Sequence, residues 1–189
     1  MDGCPKTAPI GRGAKSDRAR TRSRLGIDER DKMVLVSMGG VPDRFDFLSR
    51  LPERMAPFLV IPGADGRPSP HPKVRLLPTH SDFYHPDLMA AADALVAKAG
   101  YSTIAEAYQC GLPFGYVRRP QSPESDALEK FISENMPAKA IAPETYIDGS
   151  WITALSDLLN MPRSASQREN GAGQAARIIC GILGSQSGC

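Results

Sequence analysis

The stretch Asp93-Ala94-Leu95-Val96-Ala97-Lys98-Ala99-Gly100-Tyr101-Ser102-Thr103-Ile104-Ala105-Glu106-Ala107 decides the fold. Ala94 to Ala97 is a short, continuously apolar run of the kind a strand covered on both faces requires, and beyond Thr103 the apolar positions recur at helical spacing. Gly100 supplies the turn between them. Ser102 and Thr103 place hydroxyls and backbone N–H groups at a helix start, where the helix dipole favours an anion. The segment supports two readings. As a ligand site, a pyrophosphate lies over Gly100, Tyr101, Ser102 and Thr103 while the Glu106 carboxylate accepts hydrogen bonds from two neighbouring ribose hydroxyls. As a structural device, Thr103 and Glu106 form a capping box that satisfies the orphan N–H groups of the helix.

The same rhythm extends in both directions. Strands are expected at Met33 to Ser37, Pro57 to Ile61, Val74 to Leu77, Ala94 to Ala97, Phe114 to Val117 and Lys139 to Ala142. Helices are expected near Pro42 to Met55, Pro86 to Ala92, Thr103 to Cys110, Pro123 to Asn135, Trp151 to Leu159 and Gln167 to Leu183, several of them opening on proline, serine or threonine. Alternation of this kind predicts an α/β fold with a Rossmann-like, doubly wound parallel sheet, because parallel strands need crossovers that pack on the faces. Ligands in such sheets gather at the carboxyl ends of the strands. The first strand also runs into a glycine turn, Ser37-Met38-Gly39-Gly40-Val41-Pro42, which is either plain strand-to-helix geometry or a close approach for a phosphate. Neither a G-x-G-x-x-G nor a G-x-x-x-x-G-K-[ST] motif occurs, so the dinucleotide and P-loop readings have no support.

Composition narrows the functional classes. With 189 residues, one domain with an ample core is the expectation. No apolar run approaches the roughly 18 residues of a membrane span, and the amino-terminal residues lack the apolar core of a secretion signal, so a cytoplasmic protein without a transmembrane segment is expected. Cys4, Cys110, Cys180 and Cys189 are scattered without ligand spacing, which argues for reduced thiols and against a zinc site. The net charge of +2 demands no polyanionic partner. The surplus is concentrated in Arg12, Lys15, Arg18, Arg20, Arg22 and Arg24 against Asp17, without aromatic residues to stack on bases, so residues 1–31 are expected to be a basic flexible linker and not a nucleic-acid arm. Residues 32–189 then form the folded domain. His71, His80 and His85 lie in a loop-rich stretch, with no carboxylate at a fixed spacing to orient them, and are expected at the surface.

The run Leu76 to Met89, continuing through Lys98-Ala99-Gly100-Tyr101-Ser102-Thr103-Ile104-Ala105-Glu106-Ala107 to Gly111-Leu112-Pro113-Phe114-Gly115-Tyr116-Val117-Arg118-Arg119, resembles the carboxyl-terminal, donor-binding domain of GT-B glycosyltransferases. It is most similar to the family 28, MurG-like type and to the glycosyltransferase-like module of arabinokinases. The resemblance extends from about Arg24 to the closing helix ahead of Leu183, and it implies a single GT-B half-domain that binds a nucleotide-sugar, with UDP-sugar as the donor and no metal or other cofactor. By position it places Gly39 and Gly40 near the diphosphate, Gly100, Tyr101, Ser102 and Thr103 at the second phosphate turn, Glu106 on the ribose, the backbone of Leu77 at the uracil, and Glu124 where sugar hydroxyls are read. Arg118 and Arg119 either neutralise the departing diphosphate or are solvated rim arginines. Two departures stand out: Val41 replaces the family's serine after Gly-Gly, and the sugar-reading segment appears as Pro120-Gln121-Ser122-Pro123-Glu124-Ser125.

The implied function is the donor half of an inverting hexosyltransferase. No catalytic residue is assigned in this chain, because in the family the acceptor site and catalytic base belong to an amino-terminal domain, here expected as a partner domain or separate subunit. A non-catalytic sugar-nucleotide-binding or regulatory module is the alternative. A sugar-nucleotide 2-epimerase fragment ranks below both, since Ala99-Gly100-Tyr101-Ser102 departs from the Ser-Gly-Gly turn expected of that group.

Overall fold

The computed structural model describes residues 6–39, 44–64, 68–119, 122–164 and 169–185. These contain a six-stranded sheet in the order β3-β2-β1-β4-β5-β6. The strands are β1 (Met33–Ser37), β2 (Phe58–Pro62), β3 (Val74–Leu77), β4 (Ala94–Lys98), β5 (Phe114–Val117) and β6 (Ala138–Ile141), each parallel to its neighbours. Their apolar continuity has a direct cause: both faces are covered. Met33, Leu35, Phe58, Val60, Leu95 and Ala97 point into one core, while Val34, Val36, Leu59, Ile61, Ala94 and Val96 point into the other. The fold is therefore the expected α/β Rossmann-like sheet, and the strand positions agree with the sequence to within a residue.

The helices are α1 (Arg18–Leu25), α2 (His85–Ala91), α3 (Tyr101–Cys110), α4 (Ser125–Asn135), α5 (Pro143–Asp148), α6 (Leu155–Asn160) and α7 (Gly171–Ser185). Several segments differ from expectation. In place of a helix from Pro42 to Met55, the described part holds one 3-10 turn, Asp46–Arg50. Phe45 enters it left-handed with φ 48°, and Leu51 leaves it extended because Pro52 follows. The segment expected as a helix from Trp151 begins as a 3-10 turn, Ser150–Ala154, whose Trp151 packs edge-on against Phe47 before α6 continues. Helix α5 was not anticipated; Pro143 starts it and Tyr146 buries against the same aromatic group.

The largest correction concerns the basic stretch. Far from being a flexible linker, residues 18–25 form α1, capped by the Asp17 side chain on Arg20 N–H (2.7 Å) and closed by Gly26 with φ 64°. Two of its arginines, Arg18 and Arg22, are structural donors and not solvated charge. Arg22 is completely buried, and its guanidinium donates to the carbonyls of Ala91 (3.0 Å), Asp28 (2.8 Å) and Asp31 and faces Asp93 at 3.4 Å. Arg18 donates to Asp93 at 2.8 Å and to Ala91 O at 2.7 Å. The Asp93 carboxylate in turn accepts the Met33 N–H (2.8 Å) at the start of β1. The boundary placed at residue 31 thus cuts through one hydrogen-bonded assembly.

Arg22→Ala removes the donor to three carbonyls and opens a cavity in a closed site, so it should destabilise the chain by about 3 kcal/mol or more. Arg20→Ala, on the exposed side of the same helix, should stay within about 0.5 kcal/mol. Urea unfolding midpoints of the two variants check the contrast.

Candidate functional site

Strand order reverses between β1 and β4: the chain leaves β1 toward β2 on one side, and β4 continues toward β5 on the other. Their carboxyl ends lie side by side, with Ser37 in register with Ala97, and this is where open α/β sheets leave a crevice. Gly39 follows β1, exposed and left-handed with φ 57°, a conformation that excludes most side chains. Gly40 lies outside the described residues. After β4, Gly100 is the N-cap of α3 with φ −125° and ψ 146°, extended backbone that any residue adopts. A Cβ built there meets nothing within 4 Å. The value of this glycine is therefore open space over the turn, not backbone strain. The first intrahelical bond of α3 runs from Ile104 N–H to Gly100 C=O at 2.9 Å, so the N–H groups of Tyr101, Ser102 and Thr103 precede the ladder. Tyr101 and Ser102 are exposed and Thr103 is half-buried.

Glu106 lies one turn further along α3, and the capping-box reading fails on geometry. Thr103 is the third helical residue and not the cap, and Glu106 turns away from the helix start. The residue is buried, and its carboxylate is held at both oxygens: Arg12 Nε donates to Oε1 at 2.7 Å, and His85 Nδ1 lies 3.1 Å from Oε2. Burial acts to raise the Glu106 carboxyl, but the hydrogen bonds from His85 and Arg12 outweigh it and hold the group below its ordinary value. With the carboxylate ionised, His85 Nδ1 donates to it, and the ring's Nε2 lies 3.1 Å from the Ser37 hydroxyl. Hydroxyl, imidazole and carboxylate stand in the order of a nucleophile relay. Ser37 is only 4% exposed, however, and the second carboxylate oxygen is tied to Arg12, so the chain of bonds acts to orient Glu106. His85 was expected at the surface; its partner is 21 residues away in sequence, on another helix, and no spacing rule reports such a pair.

The other expected site residues lie apart. Leu77 ends β3, three strand spacings or about 14 Å from β4, and its carbonyl already accepts the N–H groups of Gly63 (2.9 Å) and Ala64 (3.0 Å). Arg118 is exposed and pairs with Glu129 at 3.0 Å. Arg119 faces Glu124 at 3.6 Å, both well exposed. These three form a solvated rim beyond β5. A cleft of about 220 Å³ is lined by Asp46, Lys98, Val117, Arg118, Pro143, Tyr146 and Ile147, at the carboxyl ends of β4 and β5. That is below the roughly 300 to 1,000 Å³ of a complete small-molecule site. Lys98, at the end of β4, adds a basic side chain to this rim, one that the sequence analysis gave no role. Among the described residues, no group of three or more His, Cys, Asp or Glu could hold a metal ion, and no helix is long and apolar enough to cross a membrane.

No protein-family model matches the chain. Over 166 residues it is 27% identical to L-arabinokinase of Arabidopsis thaliana, covering 86% of this chain and 15% of that protein. Among solved structures it is similar to MurG of Acinetobacter baumannii, with a TM-score of 0.57 and 16% identity, covering 88% of this chain and 53% of the other. It is also similar to CalG4, the calicheamicin glycosyltransferase, with a TM-score of 0.56 and 17% identity over 81% of this chain and 37% of that one. The chain has the fold of one half of a GT-B glycosyltransferase, and it spans about half or less of the solved chains it matches.

The Glu106 contacts carry a pH signature. Because the folded carboxyl sits below its ordinary value, the unfolded chain takes up this proton first as the pH falls. Its stabilisation is complete above the ordinary carboxylate range and is lost as the pH drops through the folded value. The stability difference between wild type and Glu106→Gln should therefore narrow as the pH falls from about 5 to about 3, read from urea unfolding at each pH.

Proposed function

We propose that this chain is the donor-binding half of an inverting hexosyltransferase, taking a nucleotide-diphospho-sugar, most simply a UDP-sugar, in the crevice beyond β1 and β4. The observation that carries this reading is the meeting of two groups on one helix at the strand-order reversal: the open amino-terminal turn of α3 over Gly100, and the oriented carboxylate of Glu106 one turn along. The turn supplies N–H groups for a diphosphate, and the carboxylate supplies acceptors for a ribose diol. Gly39 opens the facing turn, while Lys98, Arg118 and Arg119 provide the positive charge that stabilises a leaving diphosphate without a metal. The Arg118 and Arg119 pairs, being exposed, exchange for phosphate at little cost.

The acceptor and the catalytic base are assigned to a second Rossmann-like half, in the same polypeptide or a partner subunit. Helix α7 supports this. Its Ile179, Ile182 and Leu183, spaced to share one face, are each more than half exposed, an apolar stripe suited to a packing surface. The free thiols of Cys110 and Cys180 fit a reducing, cytoplasmic setting. A second reading, a non-catalytic sugar-nucleotide-binding or regulatory module, draws on the occlusion of Glu106 and on the likeness to an arabinokinase. Both readings bind nucleotide; only the first transfers sugar once an acceptor half is supplied.

Titration of the full chain with UDP, UDP-N-acetylglucosamine and UDP-galactose tests the reading, with weak binding and no multiple turnover expected from this chain alone. Failure of all three to bind would refute it. Gly100→Val should abolish binding while leaving the melting temperature within a few degrees, since its backbone is unstrained and its Cβ has room. A large loss of stability in that variant would show that the glycine serves the fold.

A further inference from the structure

Residues 8–16 run as a strap over the side of α3 that carries Tyr101, Glu106 and Gln109. Ala8 N–H donates to Gln174 Oε1 (2.6 Å), Ile10 N–H to the Tyr101 hydroxyl (3.1 Å), and Gln109 Nε2 to Pro9 O (3.3 Å). Gly11 lies so close to α3 that a Cβ there would stand 3.2 Å from Ala105 C and Glu106 N. Beyond it the N–H groups of Lys15 and Ser16 both donate to Asp87 Oδ1, at 2.6 and 3.0 Å. Arg12, in the middle, has a side chain 57% exposed whose Nε closes on Glu106.

We propose that this strap is a built-in competitor for the ribose subsite, with the Arg12 guanidinium standing where the donor's diol must bind. The inference rests on the donor-site reading above and deepens it. A ribose hydroxyl and a guanidinium N–H present the same feature to a carboxylate oxygen, a hydrogen-bond donor. Oε2 is held by His85 from within the fold, so Oε1 is the oxygen left for a ligand, and Arg12 holds it. A carboxylate 3% exposed meets nothing from solution unless its cover moves, and the strap is the part of that cover that belongs to no sheet or helix. Nucleotide entry therefore requires Arg12 to leave, and the apparent affinity of the whole chain is reduced by the fraction of molecules whose strap is closed. Release of the strap, by a docking partner or by the nucleotide itself, sets how readily this half takes its donor.

Two measurements on the full chain test this, with UDP as probe. In calorimetric titration Arg12→Ala should bind UDP about tenfold more tightly than wild type, the gain expected if the strap is open about one-tenth of the time. In wild type, saturating UDP should speed tryptic cleavage after Arg12 and Lys15. The second measurement needs no variant and decides the matter alone if Arg12→Ala fails to fold. Unchanged or weaker UDP binding by a folded Arg12→Ala protein, or slower cleavage of wild type with UDP, would overturn the strap and leave the donor site standing. Absence of UDP binding in both proteins would instead overturn the donor reading, and the strap with it.

Discussion

The Asp93 carboxylate is the point on which the architecture turns. It receives Arg18 and Arg22 from α1 and the Met33 N–H from β1, while its own N–H donates to Met33 O at 2.7 Å. One side chain thus ties the amino-terminal helix to the two central strands at the end of the sheet opposite the crevice. The cost of burying Arg22 is met by carbonyls as well as by charge. Burial first, and the charge of Arg18 second, pull its guanidinium below its ordinary value, while Asp93 acts in the other direction. Ionic contacts of this kind add little when fully hydrated but become costly to break once enclosed. The register of β1 against β4, and with it the pairing of Ser37 with Ala97 at the crevice, follows from this anchor.

How much of this was legible in the chain follows from the range of each signal. Strand texture is local, and Met33–Ser37, Val74–Leu77 and Phe114–Val117 emerge where the apolar runs place them. The doubly wound parallel arrangement is also recoverable, because parallel strands need crossovers that pack on the faces. The anchor was not legible. Arg18 and Arg22 look like surface charge in a window of a dozen residues, since their acceptors at Ala91 and Asp93 are some 70 positions away. The same limit applies at the site. Gly100 and the passage from β4 into α3 were readable to within two residues because strand, turn and helix are contiguous. The Glu106 clamp was not, since Arg12 and His85 precede it by 94 and 21 positions, beyond the reach of any local spacing rule.

The capping-box motif is instructive in another way. Thr103 and Glu106 have the right spacing, yet the helix starts two residues earlier, so neither side chain faces an orphan N–H group. A motif defined by spacing carries meaning only relative to the helix start. Gly100, placed extended just ahead of Tyr101, sets that start and thereby frees the Glu106 carboxylate for its long-range partners.

The bond from Ala8 to Gln174 spans 166 positions, against 94 for Arg12 to Glu106. Contacts that close loops of this size form late, because their chain entropy is lost before their enthalpy is recovered. As the polypeptide leaves the ribosome, the sheet and α3 have all their own residues available well before Asn170, Gly171 and Gln174 emerge to fasten the strap's first residues. The nascent domain therefore passes through an interval in which its central strands are paired and Ala8, Pro9 and Gly11 are not yet fastened to Gln174, Gly171 and Asn170. In that interval the strap is held by Tyr101, Glu106, Gln109 and Asp87 alone, and its amino-terminal end is fastened only when the last helix has been made.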